Sequence, residues 1–211
     1  FLSTIFNNNL INNFKNIFKI SEIKIDNSRN EINEIILLDT SFLIGKNIFL
    51  IDKRKILEKL NKLKFIESII IEKKYPSTIN IKTKVTDLIA ITYLNQKKYF
   101  VGLNGNFILA NNIPTEKKLP IIFGKFNSAD YILLQKQLLN HNIDINKVVK
   151  YYFHKNNRWD LYFKNDILLK LPESRVGEAL KIYNILQNNE NIKSGSIVDL
   201  RIINKAIISN E

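Results

Sequence analysis

The chain has 211 residues, 45% of them hydrophobic, enough for one large or two small cores. It has no cysteine, which excludes disulfides, thiol chemistry and cysteine-based zinc sites. Its formal net charge is +12, yet no basic run of five or more interleaves with aromatics, so a nucleic-acid surface is not expected and the charge reads as incidental to a Lys-, Asn- and Ile-rich composition.

Residues 1–14 alternate Asn with apolar residues without a sustained period. Met is absent throughout. The sequence therefore reads as a processed or partial product, and a signal peptide or membrane anchor is expected in the missing portion. No run approaches the roughly 20 apolar residues of a spanning helix; Phe1–Phe6 reads either as the outer end of such an anchor or as an ordinary terminal segment. Ile17–Ile25 is expected as a first strand, with Ile23 and Ile25 on one face. Ser28-Arg29-Asn30-Glu31 matches a capping box, followed by Ile32, Ile35 and Ile36 at helical spacing. Gly45 marks a break before an extended piece, Asn47–Asp52. Asp52 is expected to cap a second helix with Ile56, Leu60 and Leu63 on its apolar face.

Phe65 to Val85 holds two β-rich runs that meet at Tyr75-Pro76. Asn80, Lys82 and Lys84 alternate with Ile79, Ile81, Thr83 and Val85, the period of a half-buried strand. Pro76 cannot donate to a ladder and belongs at the turn or at a strand edge. The order is strand, helix, helix, strand, strand, with two helices over one face of a three-stranded sheet. With Asn47–Asp52, Leu63–Ser68 and Tyr75–Ile81 in this order and spacing, residues 15–87 resemble a POTRA domain.

Beyond Val85, Leu88–Leu94, Tyr99–Leu103 and Asn106–Leu109 are expected strands. Asn104-Gly105 between the last two is a hairpin signal, because both residue types tolerate positive φ. Leu119-Pro120 starts an expected loop containing Gly124. Asn127 is expected to cap a helix through about Asn140, with Asp130 in its first turn complementing the dipole. Strands follow at about Lys147–His154, Arg158–Phe163 and Ile167–Leu171, the last two joined by an Asn165-Asp166 turn. Ser174 is expected to cap a helix with Val176, Ala179, Leu180 and Tyr183 on one face. Gly195 precedes a final strand from Ser196 to about Ile208. Residues 88–208 thus read as a mostly antiparallel β domain with two helices, and the whole chain as α+β, with the domain boundary near residues 86–90.

Catalytic constellations are missing. The two histidines, His141 and His154, stand apart without cysteines and make a poor metal set. No serine sits in a G-x-S-x-G turn, and Gly102-x-x-Gly105 is a hairpin rather than a phosphate cradle. No enzyme activity and no cofactor are expected. Trp159, alternating with Leu161 and Phe163, reads as core rather than as a binding hot spot. The apolar run Ile202–Ile208 has two readings. At a sheet edge it would expose unpaired N–H and C=O groups that a partner strand can cover; inside its own sheet it is simply buried. Lys205 can guard an edge.

Arg158-Trp159-Asp160-Leu161, Leu171-Pro172-Glu173 and Val198-Asp199-Leu200-Arg201, together with the Tyr75-Pro76 and Asn104-Gly105 hairpins and Leu119-Pro120, make the chain similar to the extracytoplasmic part of the FtsQ/DivIB family, above all its alphaproteobacterial members. The resemblance implies a non-enzymatic divisome scaffold, held in the inner membrane by a single N-terminal helix ahead of residues 1–14. The rest would lie in the periplasm at the septum, with the POTRA domain contacting other division proteins. It implies capture of an FtsB–FtsL pair by the last strand, through Arg201, Ile202, Ile203, Asn204, Lys205, Ala206, Ile207 and Ile208. A second arginine is usual just before the Trp; Asn156 and Asn157 occupy that place here, leaving Arg158 as the nearest. The rival readings are a POTRA protein of outer-membrane assembly, which would carry repeats and a barrel, and a basic nucleic-acid binder.

Overall fold

A computed structural model describes residues 16–27, 29–188, 192–202 and 205–210. The chain divides into two compact units, Phe1–Thr86 and Asp87–Glu211.

The first unit contains β1 (Glu22–Asp26), α1 (Asn30–Thr40), α2 (Lys53–Leu60), β2 (Ile66–Lys74) and β3 (Thr78–Val85). β3 lies in the middle of the sheet, antiparallel to β2 and parallel to β1. The period-two pattern of Ile79 and Ile81 is realised: both are fully buried, while Lys82 and Asn80 on the other face reach Glu72. Each helix buries one apolar stripe, Ile32 and Ile36 on α1, Ile56 and Leu60 on α2. Asp52 caps α2 by accepting the Arg54 N–H.

Three local expectations differ here. The first strand starts at Glu22, because Lys19 is already bridged to Asn47 and Ile20 bonds to Lys46 and Gly45. The piece at Asn47 is a 3-10 turn over Ile48–Leu50 rather than extended, since the Asn47 side chain accepts the Phe49 N–H and tightens the backbone. α2 ends at Leu60, so Leu63 lies in the following turn. The capping box rests on Ser28, outside the described residues; Arg29 occupies the N-cap position of α1 and its N–H is taken by Asn27 Oδ1.

The second unit contains β4 (Leu88–Leu94), β5 (Lys97–Gly102), β6 (Phe107–Leu109), β7 (Ile121–Phe123), α3 (Ser128–Asn140), β8 (Val148–Phe153), β9 (Trp159–Phe163), β10 (Leu168–Lys170), α4 (Val176–Asn188), β11 (Ser196–Asp199) and β12 (Ile207–Asn210). Among the described residues these strands make one sheet in the order β12-β11-β10-β9-β8-β7-β4-β5-β6. Pairing is antiparallel except at β4/β7, β7/β8 and β10/β11. α3 and α4 supply Tyr131, Leu134, Leu138, Ala179, Leu180 and Tyr183 to a core that takes Tyr151, Leu161, Leu169 and Val198 from the sheet. Trp159 is core, as the alternation predicts: it is 6% exposed and its ring lies 4.7 Å from Phe153 and 5.9 Å from Tyr131.

Asn127 caps α3 by accepting the Ala129 N–H. The Asn104-Gly105 turn is a three-residue loop rather than a two-residue one. Gly102 N–H bonds to Asn106 O and Gly105 N–H to Gly102 O, so only Gly105, at φ +81°, takes the left-handed conformation. The segment read as a loop after Pro120 contains β7, a strand because β4 and β8 pair with it on either side. Ser174 stands one residue too early to cap α4; Arg175, at φ +58°, precedes the helix and its carbonyl accepts from Glu178 and Ala179.

Candidate partner-binding edge

The final strand expected over 196–208 is two strands. β11 is internal, parallel to β10 on one side and antiparallel to β12 on the other. The break is local chemistry: Asp199 Oδ1 accepts the Arg201 N–H, folding the chain out of the ladder just after β11. The connection turns back through a Lys205 N–H to Ile202 O bond. The edge reading therefore fails for Ile197–Asp199 and passes to β12, whose register sets Ile207 opposite Asp199 and Ile208 opposite Val198. Among the described residues β12 has one neighbour, so alternate N–H and C=O groups of Ile207–Asn210 point away from that sheet.

The expected contact residues separate by environment. Ile207 and Ile202 are 44% and 54% exposed. Lys205 is exposed, Ile208 is half-buried and Ala206 packs against the core. Ile203 and Asn204 lie outside the described residues. Arg201 is not a bare cation: its Nε bonds both Asp199 carboxylate oxygens at 2.8 Å and its Nη2 a second time to Oδ2. That fork holds the Asp199 carboxyl below the usual carboxylate range and raises the Arg201 guanidinium above its own, in both cases chiefly through the side-chain hydrogen bond.

Arg158 sits at the end of the β8–β9 turn, where its carbonyl accepts the His154 N–H. Its side chain is only 20% exposed and its Nε is 3.6 Å from Asp160 Oδ1. Asp160 Oδ2 meets His154 Nε2 at 2.8 Å. Arg158 Nε and Asp160 Oδ1 are both buried without a hydrogen-bond partner, so this ion pair is made at longer range than the Arg201 fork.

Strand register brings these groups together. Tyr152, Asp160, Lys170, Asp199 and Ile207 are cross-strand partners in succession from β8 to β12. Directly paired residues share a sheet face, so the two aspartates flank Lys170, Asp160 of β9 with Arg158 and Asp199 of β11 with Arg201, beside β12. Reading the arginines alone missed Asp160, Asp199, Lys170 and His154. The signal was present as Arg158-x-Asp160 and Asp199-x-Arg201, the spacing at which extended side chains fall on one face. Among the described residues no group of three or more His, Asp or Glu is arranged to hold a metal ion, and no helix is long and apolar enough to cross a membrane.

Comparison with known proteins assigns both units. The model of the "POTRA domain, FtsQ-type" matches residues 18–84, and that of "Cell division protein FtsQ/DivIB, C-terminal" matches residues 90–201. Cell division protein FtsQ of Rickettsia conorii is 29% identical over 196 residues, covering 90% of this chain and 72% of its own. FtsQ of Agrobacterium fabrum is 25% identical over 197 residues, covering 90% and 61%. The solved extracytoplasmic domain of DivIB from Geobacillus stearothermophilus superposes over 52% of this chain and 99% of its own, at 14% identity and a TM-score of 0.35, too loose a fit to transfer detail. The order of the two matched models along one chain, and relatives from several alphaproteobacteria that span nine-tenths of it, establish that this chain belongs to the FtsQ/DivIB family of cell division proteins.

Proposed function

We propose that the chain is a non-enzymatic scaffold of the division septum that captures an FtsB–FtsL pair by strand addition to β12. The observation that carries this reading is the single-sided pairing of Ile207–Asn210 beside exposed Ile207 and Ile202. Main-chain bonds to the outer side of β12 supply affinity. The row of charges ending at Arg201 selects an acidic partner. Because Asp199 already engages Arg201, a partner carboxylate shares the guanidinium through its remaining N–H groups rather than meeting an unpaired charge. In this reading the chain is held at the inner membrane with this portion in the periplasm, and its POTRA unit meets other division proteins.

Two proline variants test the mechanism. Ile208→Pro and Ser209→Pro each delete one N–H, and in an antiparallel ladder one of the two faces β11 while the other faces outward. The inward deletion should lower stability. The outward one should leave the melting temperature nearly unchanged yet abolish binding in a titration with soluble FtsB–FtsL. Arg201→Glu should weaken the same binding about tenfold, the loss of one charged contact. Normal binding by both proline variants would place the interface elsewhere.

A further inference from the structure

The first unit displays an apolar surface that neither its own core nor the β12 reading uses. Phe49 is 55% exposed, Tyr75 56% and Leu50 84%. The Phe49 ring stacks on Tyr75 at a centroid distance of 5.0 Å and tilts against half-buried Phe18 at 4.9 Å. The 3-10 turn over Ile48–Leu50 creates this display: Ile48 turns inward and is fully buried, which leaves the next two side chains facing out. Contacts between the three rings hold them in place, so the surface is preorganised.

One lysine contacts it and four more flank its residues along the chain. Lys73 Nζ contacts Phe49 O at 3.4 Å. Lys19 follows Phe18, Lys46 precedes the turn, and Lys53 and Lys55 follow it. Among the described residues no carboxylate lies within ion-pair distance of these five lysines. The nearby acids are already engaged, Asp52 by Arg54 and Glu72 by Lys74 and Lys82. Exposed aromatic and aliphatic tips on segments rich in lysine match a lipid surface, where the apolar groups enter the acyl boundary and the ammonium groups meet anionic headgroups.

We propose that Phe18, Phe49, Leu50 and Tyr75, with Lys73 and the lysines that flank them in the chain, dock the first unit onto an anionic lipid bilayer. This does not depend on capture of FtsB–FtsL.

The test is co-sedimentation of the 211-residue chain with vesicles. One set is phosphatidylcholine, the other three parts phosphatidylcholine to one part phosphatidylglycerol. Binding should favour the anionic vesicles by about tenfold or more and weaken with added salt. Leu50→Glu should reduce it by about tenfold, because a carboxylate replaces an inserting side chain amid the same headgroups. Leu38→Glu is the control: Leu38 is 74% exposed on α1, a different element from those that carry the rings, and its variant should bind as wild type. Leu50→Trp should show a blue-shifted emission on adding anionic vesicles. Equal partition into both vesicle types, wild-type binding by Leu50→Glu, or an equal loss in Leu38→Glu would overturn the proposal. So would a concentration-dependent dimer that Leu50→Glu dissolves, which would assign the patch to a second copy of the chain.

Discussion

Replacing Gly124 by alanine should destabilise the β domain through one misplaced methyl group. Gly124 follows β7 at φ +101°, and a Cβ built there falls 2.2 Å from Phe153 O and 3.1 Å from Phe153 C. Carbon and carbonyl oxygen sit at about 3.3 Å even in close C–H···O contacts, so one backbone must move by about 1 Å. Phe153 ends β8, and the adjoining pair Phe123–Tyr152 locks β7 to β8. Positive φ costs an alanine about 1 kcal/mol. Losing one or two ladder bonds and the neighbouring packing adds about 2 kcal/mol. For a unit of this size, about 3 kcal/mol lowers the melting temperature by about 10 °C. Gly195→Ala supplies the comparison, since Gly195 has φ +81° but nothing within 4 Å of its added Cβ; it should cost only the backbone part, about 1 kcal/mol. Trp159 is the sole tryptophan and is buried in this core, so its fluorescence follows the transition of this unit during heating or in urea. If both alanine variants melt within about 2 °C of each other, the close approach of Gly124 to Phe153 is wrong.

Gly105→Val should cost about 2 kcal/mol, since a β-branched residue resists φ +81° and the change crowds Ser128, whose Oγ donates to Gly105 O at 2.6 Å and lies 3.6 Å from the new Cβ; a wild-type denaturation midpoint would refute the loop geometry. Asp199, whose carboxyl is held below its ordinary value by Arg201, is favoured folded as the charged form. Its contribution is therefore complete above the unfolded carboxylate value of about 3.9 and fades as pH falls through the lower folded value. The stability gap between wild type and Asp199→Asn should be constant from about pH 7 to pH 5 and close below about pH 4. It should be modest, because Arg201 is 42% exposed and the pair is solvent-screened; a gap that widens on acidification would contradict the fork.

How much the sequence disclosed follows from how local each determinant is. Asp52 and Asn127 were legible as caps because a cap is an interaction between residues two positions apart. The β2–β3 hairpin was legible because Ile79 and Ile81 alternate with polar residues over a long run. β7 was not: Ile121–Phe123 is three residues between a proline and a glycine, too short to show a period, and it is a strand because strands from both sides pair with it. The run Ile202–Ile208 read as one continuous strand because hydrophobicity does not reveal an Asp side chain capturing a backbone N–H two residues on. For the same reason Arg158 and Arg201 looked available for partners. Their aspartates were two positions away in the sequence, and the shared sheet row that joins the two pairs exists only through the pairing of β9, β10 and β11.

The placement of β3 at the centre of the first sheet has a consequence for how the chain is made. β1 and β2 are synthesised first, but they do not touch as neighbours; each waits for the strand that follows both. Glu22 meets Thr78, 56 positions further along the chain, and loop closure over that span precedes any reward from pairing. A nascent chain stopped short of Val85 would hold two isolated strands with raw edges, a state that invites chaperones or aggregation rather than stepwise growth. The unit therefore assembles in one cooperative event, timed by the arrival of its last strand. In the second unit, by contrast, β8 to β12 join the sheet in the order in which they are translated.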